Sequence, residues 1–236
     1  MSIASGSLTT GLITAAIAAA TLSGAGAATA DVMVPLGGGS GIVLSNRAIC
    51  SLTTIGYDNA GRLVGLTAGH CAPEGTQVAA EINRGAGAIG TVAYSDNGRD
   101  LDYAVIEFDP ARVVPTRTVG GTTIAGTAPA PGVGSQVCVN GRSTGYNCSI
   151  NWGPFEDVTL SQVCSNHGDS GGPVTAGDRL IGMLQGGIVG YDNIPFDFPC
   201  TTPANPLHSP TFYRPIDDIL TDINVAGRTG AGYHPA

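Results

Sequence analysis

The sequence predicts an all-β protein: two small antiparallel barrels joined by a linker and finished by one C-terminal helix. Three observations carry this. Glycine supplies 36 of the 236 residues and proline 15, while only 12% of residues are charged, a composition of many turns and few long polar helices. Short apolar segments recur between clusters of Gly, Pro, Asn and Asp. The stretch Val119 to Gly134, rich in Gly, Thr, Ala and Pro, reads as a linker and divides the chain beyond Ala30 into near-equal halves, 31–119 and 120–236.

Gly11 to Leu22 is an apolar, Ala-rich run, and Ala28-Thr29-Ala30 offers the small residues of a leader cleavage site. Residues 1–30 are therefore expected to be a signal peptide removed before Asp31, although no Lys or Arg precedes Arg47 to give the usual positive start. The run is short and Gly-interrupted for a membrane span of about 20 apolar residues, so a secreted protein without stable membrane insertion is expected. A Gly-rich lead-in, Pro35 to Gly41, follows. Strand-like segments then come at Gly41–Leu44, Leu63–Leu66, Gly90–Tyr94, Tyr103–Phe108, Ser135–Asn140, Cys148–Trp152, Leu180–Leu184 and Thr211–Arg214. Near the end the period changes. Ile216, Ile219, Leu220 and Ile223 repeat at helical spacing behind Pro215, with Asp217 and Asp218 in the first turn, so a helix is expected over 216–225.

The formal net charge is −8 with only 10 Lys and Arg, which leaves no basic surface for nucleic acid. The six cysteines, Cys50, Cys71, Cys138, Cys148, Cys164 and Cys200, are even in number and allow 15 pairings. No Cys-x-x-Cys pair is present, so no metal site is expected.

Three strings carry chemistry. In Gly168-Asp169-Ser170-Gly171-Gly172-Pro173, a serine hydroxyl lies among glycines that free the backbone to aim N–H donors at an oxyanion, with Gly168 and Ser170 the natural donors. A serine needs a base to become a nucleophile. Leu66-Thr67-Ala68-Gly69-His70-Cys71 offers His70, one of only four histidines, beside a cysteine that would anchor it. Asp100-Leu101-Asp102-Tyr103-Ala104-Val105-Ile106 places Asp102 at the head of an apolar strand, where a carboxylate can fix an imidazole tautomer; Asp100 competes for the role.

Together these strings resemble the chymotrypsin-like serine proteases, and most closely the bacterial secreted branch of streptogrisins and alpha-lytic protease. The resemblance spans about Gly41 to Val225 and implies two Greek-key barrels with His70, Asp102 and Ser170 as catalytic triad and the amides of Gly168 and Ser170 as oxyanion hole. It implies the disulfides Cys50–Cys71, Cys138–Cys148 and Cys164–Cys200, and an ion pair of Arg142, in the Cys138–Cys148 hairpin, with Asp169. Gln185, Gly186 and Gly187 map to the wall of the primary specificity pocket and to the edge where substrate adds as a strand. Serine is usual at the first of these positions, so Gln185 is a departure. Asp192, Asp197 and His208 fall in the loop that closes this pocket. Cleavage after medium or large apolar residues is expected, in a monomer without cofactor or metal, acting on protein or peptide substrates, with an inhibitor protein as a further partner. The short stretch from Asp31 to Ser40 leaves no room for the long pro-segment of many relatives. Two other readings compete. Gly168-x-Ser170-x-Gly172 also fits an esterase nucleophile elbow, but Gly171-Gly172-Pro173 opposes the helix that must follow it. A protease-like binding protein without turnover would share the fold.

Overall fold

The computed structural model describes residues 1–2, 33–187 and 198–236. The expected leader with its Ala28–Ala30 site, and Asp192 and Asp197, lie outside the described residues.

In chain order the strands are β1 (Val34–Leu36), β2 (Gly41–Leu44), β3 (Ile49–Ser51), β4 (Thr54–Tyr57), β5 (Leu63–Ala68), β6 (Gln77–Ala80), β7 (Gly90–Ser95), β8 (Tyr103–Phe108), β9 (Val113–Pro115), β10 (Thr118–Val119), β11 (Thr122–Thr123), β12 (Gly126–Thr127), β13 (Gln136–Gly141), β14 (Gly145–Phe155), β15 (Val158–Ser161), β16 (Pro173–Ala176), β17 (Arg179–Gly187), β18 (Thr211–Pro215) and β19 (His234–Pro235), with helix α1 at Ile216–Ala226. The first large sheet runs β19-β4-β5-β8-β7-β6-β2-β3 and is antiparallel throughout. The second runs β17-β16-β13-β14-β15-β18, and β18 pairs back onto β17 to close a six-stranded barrel. Among the described residues the fold is all-β with a single α-helix, near the C-terminus, as the sequence predicts.

The short strands follow from local pattern. In β2, Ile42 and Leu44 are buried while Gly41 and Val43 face outward, the period of two expected of a half-buried strand. The central strand β5 is buried along its whole length: Leu63, Val64, Leu66 and Ala68 all belong to the first core, and at its C-terminal end Thr67 lies against Gly171 of the Ser170 loop. The linker expected at Val119–Gly134 is more ordered than its composition suggests. β10 and β11 form a hairpin, and β12 pairs in parallel with β17, because backbone pairing needs no bulky side chains. Likewise the Gly-rich lead-in opens with β1, which pairs in parallel with β9.

Two apolar clusters fill the interior. One joins the first sheet to α1 through Leu180, Met183, Ile216, Ile219 and Ile223; the other, with Val137, Val139, Val174, Ile181, Leu184 and Tyr213, fills the closed barrel. Helix α1 ends at Gly227, whose φ of +60° suits glycine at a left-handed cap. Beyond it, Arg228 donates to the Tyr103 hydroxyl (2.6 Å) and to Asp222, and its guanidinium stacks over Tyr94 at 3.9 Å. This clasp ties the helix to β8, the strand that Asp102 precedes. The sulfurs pair Cys50–Cys71, Cys138–Cys148 and Cys164–Cys200.

Candidate active site

His70 sits in a single 3-10 turn, Gly69–Cys71, at the end of β5. The Cys50–Cys71 bridge closes a loop of 21 residues beside it, a link that by chain entropy stabilises by about 3 kcal/mol. The carboxylate of Asp102 takes two hydrogen bonds from this one residue: Oδ1 accepts from the His70 amide and Oδ2 meets Nδ1, both at 2.7 Å. Ring and main chain are held together, and the proton on Nδ1 leaves Nε2 as the free base. The same hydrogen bond raises the His70 pKa above its ordinary value; burial opposes the rise, and the charges of Asp102 and Asp96 add to it.

Asp102 has φ +54°, the left-handed region that non-glycine residues seldom occupy. Its amide donates to Asp96 Oδ2 at 2.7 Å, and Asp96 Oδ1 accepts from the Gly98 amide at 2.9 Å. The motif strings did not single out Asp96. Its signal was the Ser95-Asp96-Asn97-Gly98 run, turn chemistry in which an Asp side chain caps the amides after it.

Ser170 lies on the loop between Cys164 and β16, across the cleft. The first sheet ties down the carbonyls of this loop. Ser51 Oγ donates to Gly168 O at 3.0 Å, the Ser51 amide to Ser170 O at 2.9 Å, and Thr53 Oγ1 to Gly171 O at 2.5 Å. Two glycines are required here. At Gly168 (φ +95°) a Cβ would lie 2.8 Å from Ser143 Oγ, and at Gly171 (φ +79°) it would lie 2.3 Å from Thr67 Oγ1. Among the described residues, the amides of Gly168 and Ser170 donate to no protein carbonyl or side chain. The Ser170 hydroxyl donates to the Gln185 carbonyl at 3.4 Å, a long and weak bond that is easily exchanged for one to His70.

The expected Arg142–Asp169 ion pair is not formed. Arg142 forks onto Glu81 instead, with Nε to Oε2 at 2.7 Å and Nη2 to Oε1 at 2.5 Å. That pair lowers the Glu81 pKa and raises that of Arg142. Asp169 is fully buried and its carboxylate is already filled: the amides of Ser143 (2.7 Å), Thr144 (3.1 Å) and Asn166 (2.8 Å) and the Thr144 hydroxyl (2.7 Å) all donate to it. The hairpin tip thus meets Asp169 with its backbone and turns the Arg142 side chain towards the first sheet. There Arg142 Nη1 reaches Ser143 Oγ at 3.0 Å, which donates to His167 O at 2.6 Å. No sequence pattern marked Glu81.

His70, Ser165, His167, Asp169, Ser170 and Gln185 border one cavity of about 520 Å³, which Phe198, Cys200, Ser209 and Thr211 also line. Gly186 and Gly187 also line it, at the end of β17. His208 does not; its Nδ1 meets the Ser209 carbonyl at 2.9 Å. Asp169, the one carboxylate among the described lining residues, is spent on its four donors. Gln185 borders the cavity, but its side chain turns elsewhere: Nε2 donates to the carbonyls of Asp102 (3.0 Å) and Leu101 (3.4 Å). No group of metal-binding side chains occurs among the described residues.

No family model matches the sequence. Serine protease 1 of Rarobacter faecitabidus is 32% identical over 170 residues, covering 66% of this chain and 29% of that protein. Serine protease 2 of Streptomyces fradiae is 28% identical over 169 residues, covering 64% of this chain and 94% of that protein. The chain spans 29% and 36% of the lengths of the Rarobacter protein and of streptogrisin-C from Streptomyces griseus. Among solved structures, the chymotrypsin of Cellulomonas bogoriensis aligns with a TM-score of 0.60 at 28% identity, over 83% of this chain and 98% of that one. With the strand order, the cleft and these likenesses in agreement, the chain has the fold of the chymotrypsin-like serine proteases and is similar in sequence to their bacterial members.

Proposed function

We propose that the protein is a secreted serine endopeptidase that hydrolyses peptide bonds through an acyl-enzyme. The observation that carries this is the double grip of Asp102 on His70, opening onto the cavity that Ser170 shares. In this reading residues 31–119 bring the base and its acid, and residues 120–236 the nucleophile. Ser170 Oγ attacks the scissile carbonyl while His70 Nε2 takes its proton. The amides of Gly168 and Ser170 receive the oxyanion, and their lack of protein acceptors leaves them free to do so. His70 then returns the proton to the leaving amine, and water attacks the acyl-enzyme by the same route. The substrate backbone lies along Gln185–Gly187, beyond the point where β16 stops pairing with β17 at Met183.

A basic P1 side chain is disfavoured, since the described lining offers it no free carboxylate, and we take the preference to be for apolar residues. Three disulfides suit an oxidising compartment, and no helix among the described residues is long and apolar enough to cross a membrane.

The pH profile tests the base. His70 must be neutral to accept the Ser170 proton, while its hydrogen bond to Asp102 favours the charged form and raises its pKa above 6.5. Activity is therefore lost as pH falls through that raised value. The acid limb of kcat/KM for a peptide substrate is expected above pH 6.5. An acid limb below that value would contradict the Asp102–His70 pairing.

A further inference from the structure

We propose that Gln185 is a positioning residue for Asp102: its side-chain amide, reaching across the cleft from the second barrel, holds the acid in the backbone conformation that presents both carboxylate oxygens to His70. The inference rests on the hydrolase reading above and deepens it.

Asp102 occupies the left-handed region at φ +54°, and such a conformation persists in a non-glycine residue only when its surroundings over-determine it. Two side chains do so here, one on each side of its Cα. On the amide side, Asp96 Oδ2 accepts from Asp102 N at 2.7 Å. On the carbonyl side, Gln185 Nε2 donates to Asp102 O at 3.0 Å and to Leu101 O at 3.4 Å. The Asp102 carboxylate is itself occupied by His70, so these backbone anchors fix where it stands.

The sequence builds Gln185 for this reach. The β17–β18 register slips between Leu184 and Gly186, and a bulge of this kind re-aims the side chain it carries. Gln185 is 5% exposed, and its Oε1 is buried without a hydrogen-bond partner in the protein. An amide that serves only to fill space would be replaced at less cost by an apolar side chain of the same size. Here the amide nitrogen has work that the oxygen's isolation does not cancel. The main chain of Gln185 adds a second link, since its carbonyl accepts from Ser170 Oγ at 3.4 Å. One residue therefore contacts both the acid's backbone and the nucleophile's hydroxyl, and sets their spacing across the two sheets.

Two substitutions separate this from a packing role. Gln185→Met keeps length and bulk but removes the donor. Gln185→Glu keeps shape and donates only while protonated. The carboxylates that face His70 are Asp102 and, farther off, Asp96, with Asp169 and His167 also bordering the cavity. For Gln185→Met we expect kcat to fall at least tenfold with KM within about twofold of wild type, and the acid limb to move down in pH as the grip on His70 loosens. For Gln185→Glu we expect near-wild-type kcat at the low end of the active range and a new alkaline limb where the carboxyl ionises and the donor is lost. A rise in KM at constant kcat would make the Gln185 side chain a substrate contact and overturn the proposal. So would a loss of activity that follows thermal stability with both pH limbs unmoved, or a Glu variant whose profile parallels wild type. If Met does not fold, the Glu profile decides alone. A wild-type protein that hydrolyses no peptide at all would instead bring down the hydrolase reading.

Discussion

Ser170→Ala is expected to lower kcat for a peptide substrate by on the order of a million-fold, as removing the nucleophile does in enzymes with this arrangement. The loss should be chemical and not structural. Among the described residues the hydroxyl makes one long hydrogen bond, to Gln185 O at 3.4 Å, whereas the loop is held through its main chain by Ser51 and Thr53. Thermal unfolding of the variant should therefore match wild type. The two oxyanion amides and the edge at Gln185–Gly187 are untouched, so a peptide ligand should still bind with similar affinity. Activity within a hundredfold of wild type, in protein free of contaminating protease, would remove Ser170 from the mechanism.

Asp102→Asn should cost about ten-thousand-fold in kcat at neutral pH. Asparagine tolerates the left-handed backbone, so the substitution leaves the φ of +54° without added strain, and the Asp96 and Gln185 anchors remain. What changes is the pair of acceptors. The His70 amide and Nδ1 both bond to carboxylate oxygens at 2.7 Å, and an Asn side chain has one acceptor and one donor to set against them. Facing the NH2 group, Nδ1 must accept, so the ring proton moves to Nε2 and the base is lost. A variant within tenfold of wild type would mean that Asp102 does not set the tautomer.

The motif strings show why much of the site was readable. His70, Asp102 and Ser170 lie in short segments whose glycines and flanking strands are themselves demanded by the geometry. Gly171, for example, is fixed by the closeness of Thr67 Oγ1. Strands whose apolar residues alternate or run together, such as β2 and β8, were equally plain. What stayed hidden depends on tertiary reach. Strand β3 has only three residues, β4 is buried at three successive positions and so shows no alternation, β6 turns only Val78 and Ala80 inward, and β10 to β12 lie in a Gly/Thr-rich stretch that composition marks as linker. The partner of Arg142 could not be read, because Glu81 lies 61 residues away and the backbone amides that fill Asp169 have no sequence signature. Gln185 showed only as a departure from the usual serine. Its direction depends on a slip of register that pairing reveals and the chain order does not.

The most direct test of the central claim is covalent labelling of the purified, disulfide-intact protein with a fluorophosphonate, with the modified residue located by mass spectrometry and Ser170→Ala run beside it. The account predicts stoichiometric modification at Ser170, lost in the Ser170→Ala protein. It also predicts that labelling weakens as pH falls through the His70 ionisation. Well-folded protein that takes no label, or label that persists in the Ser170→Ala protein, would contradict it.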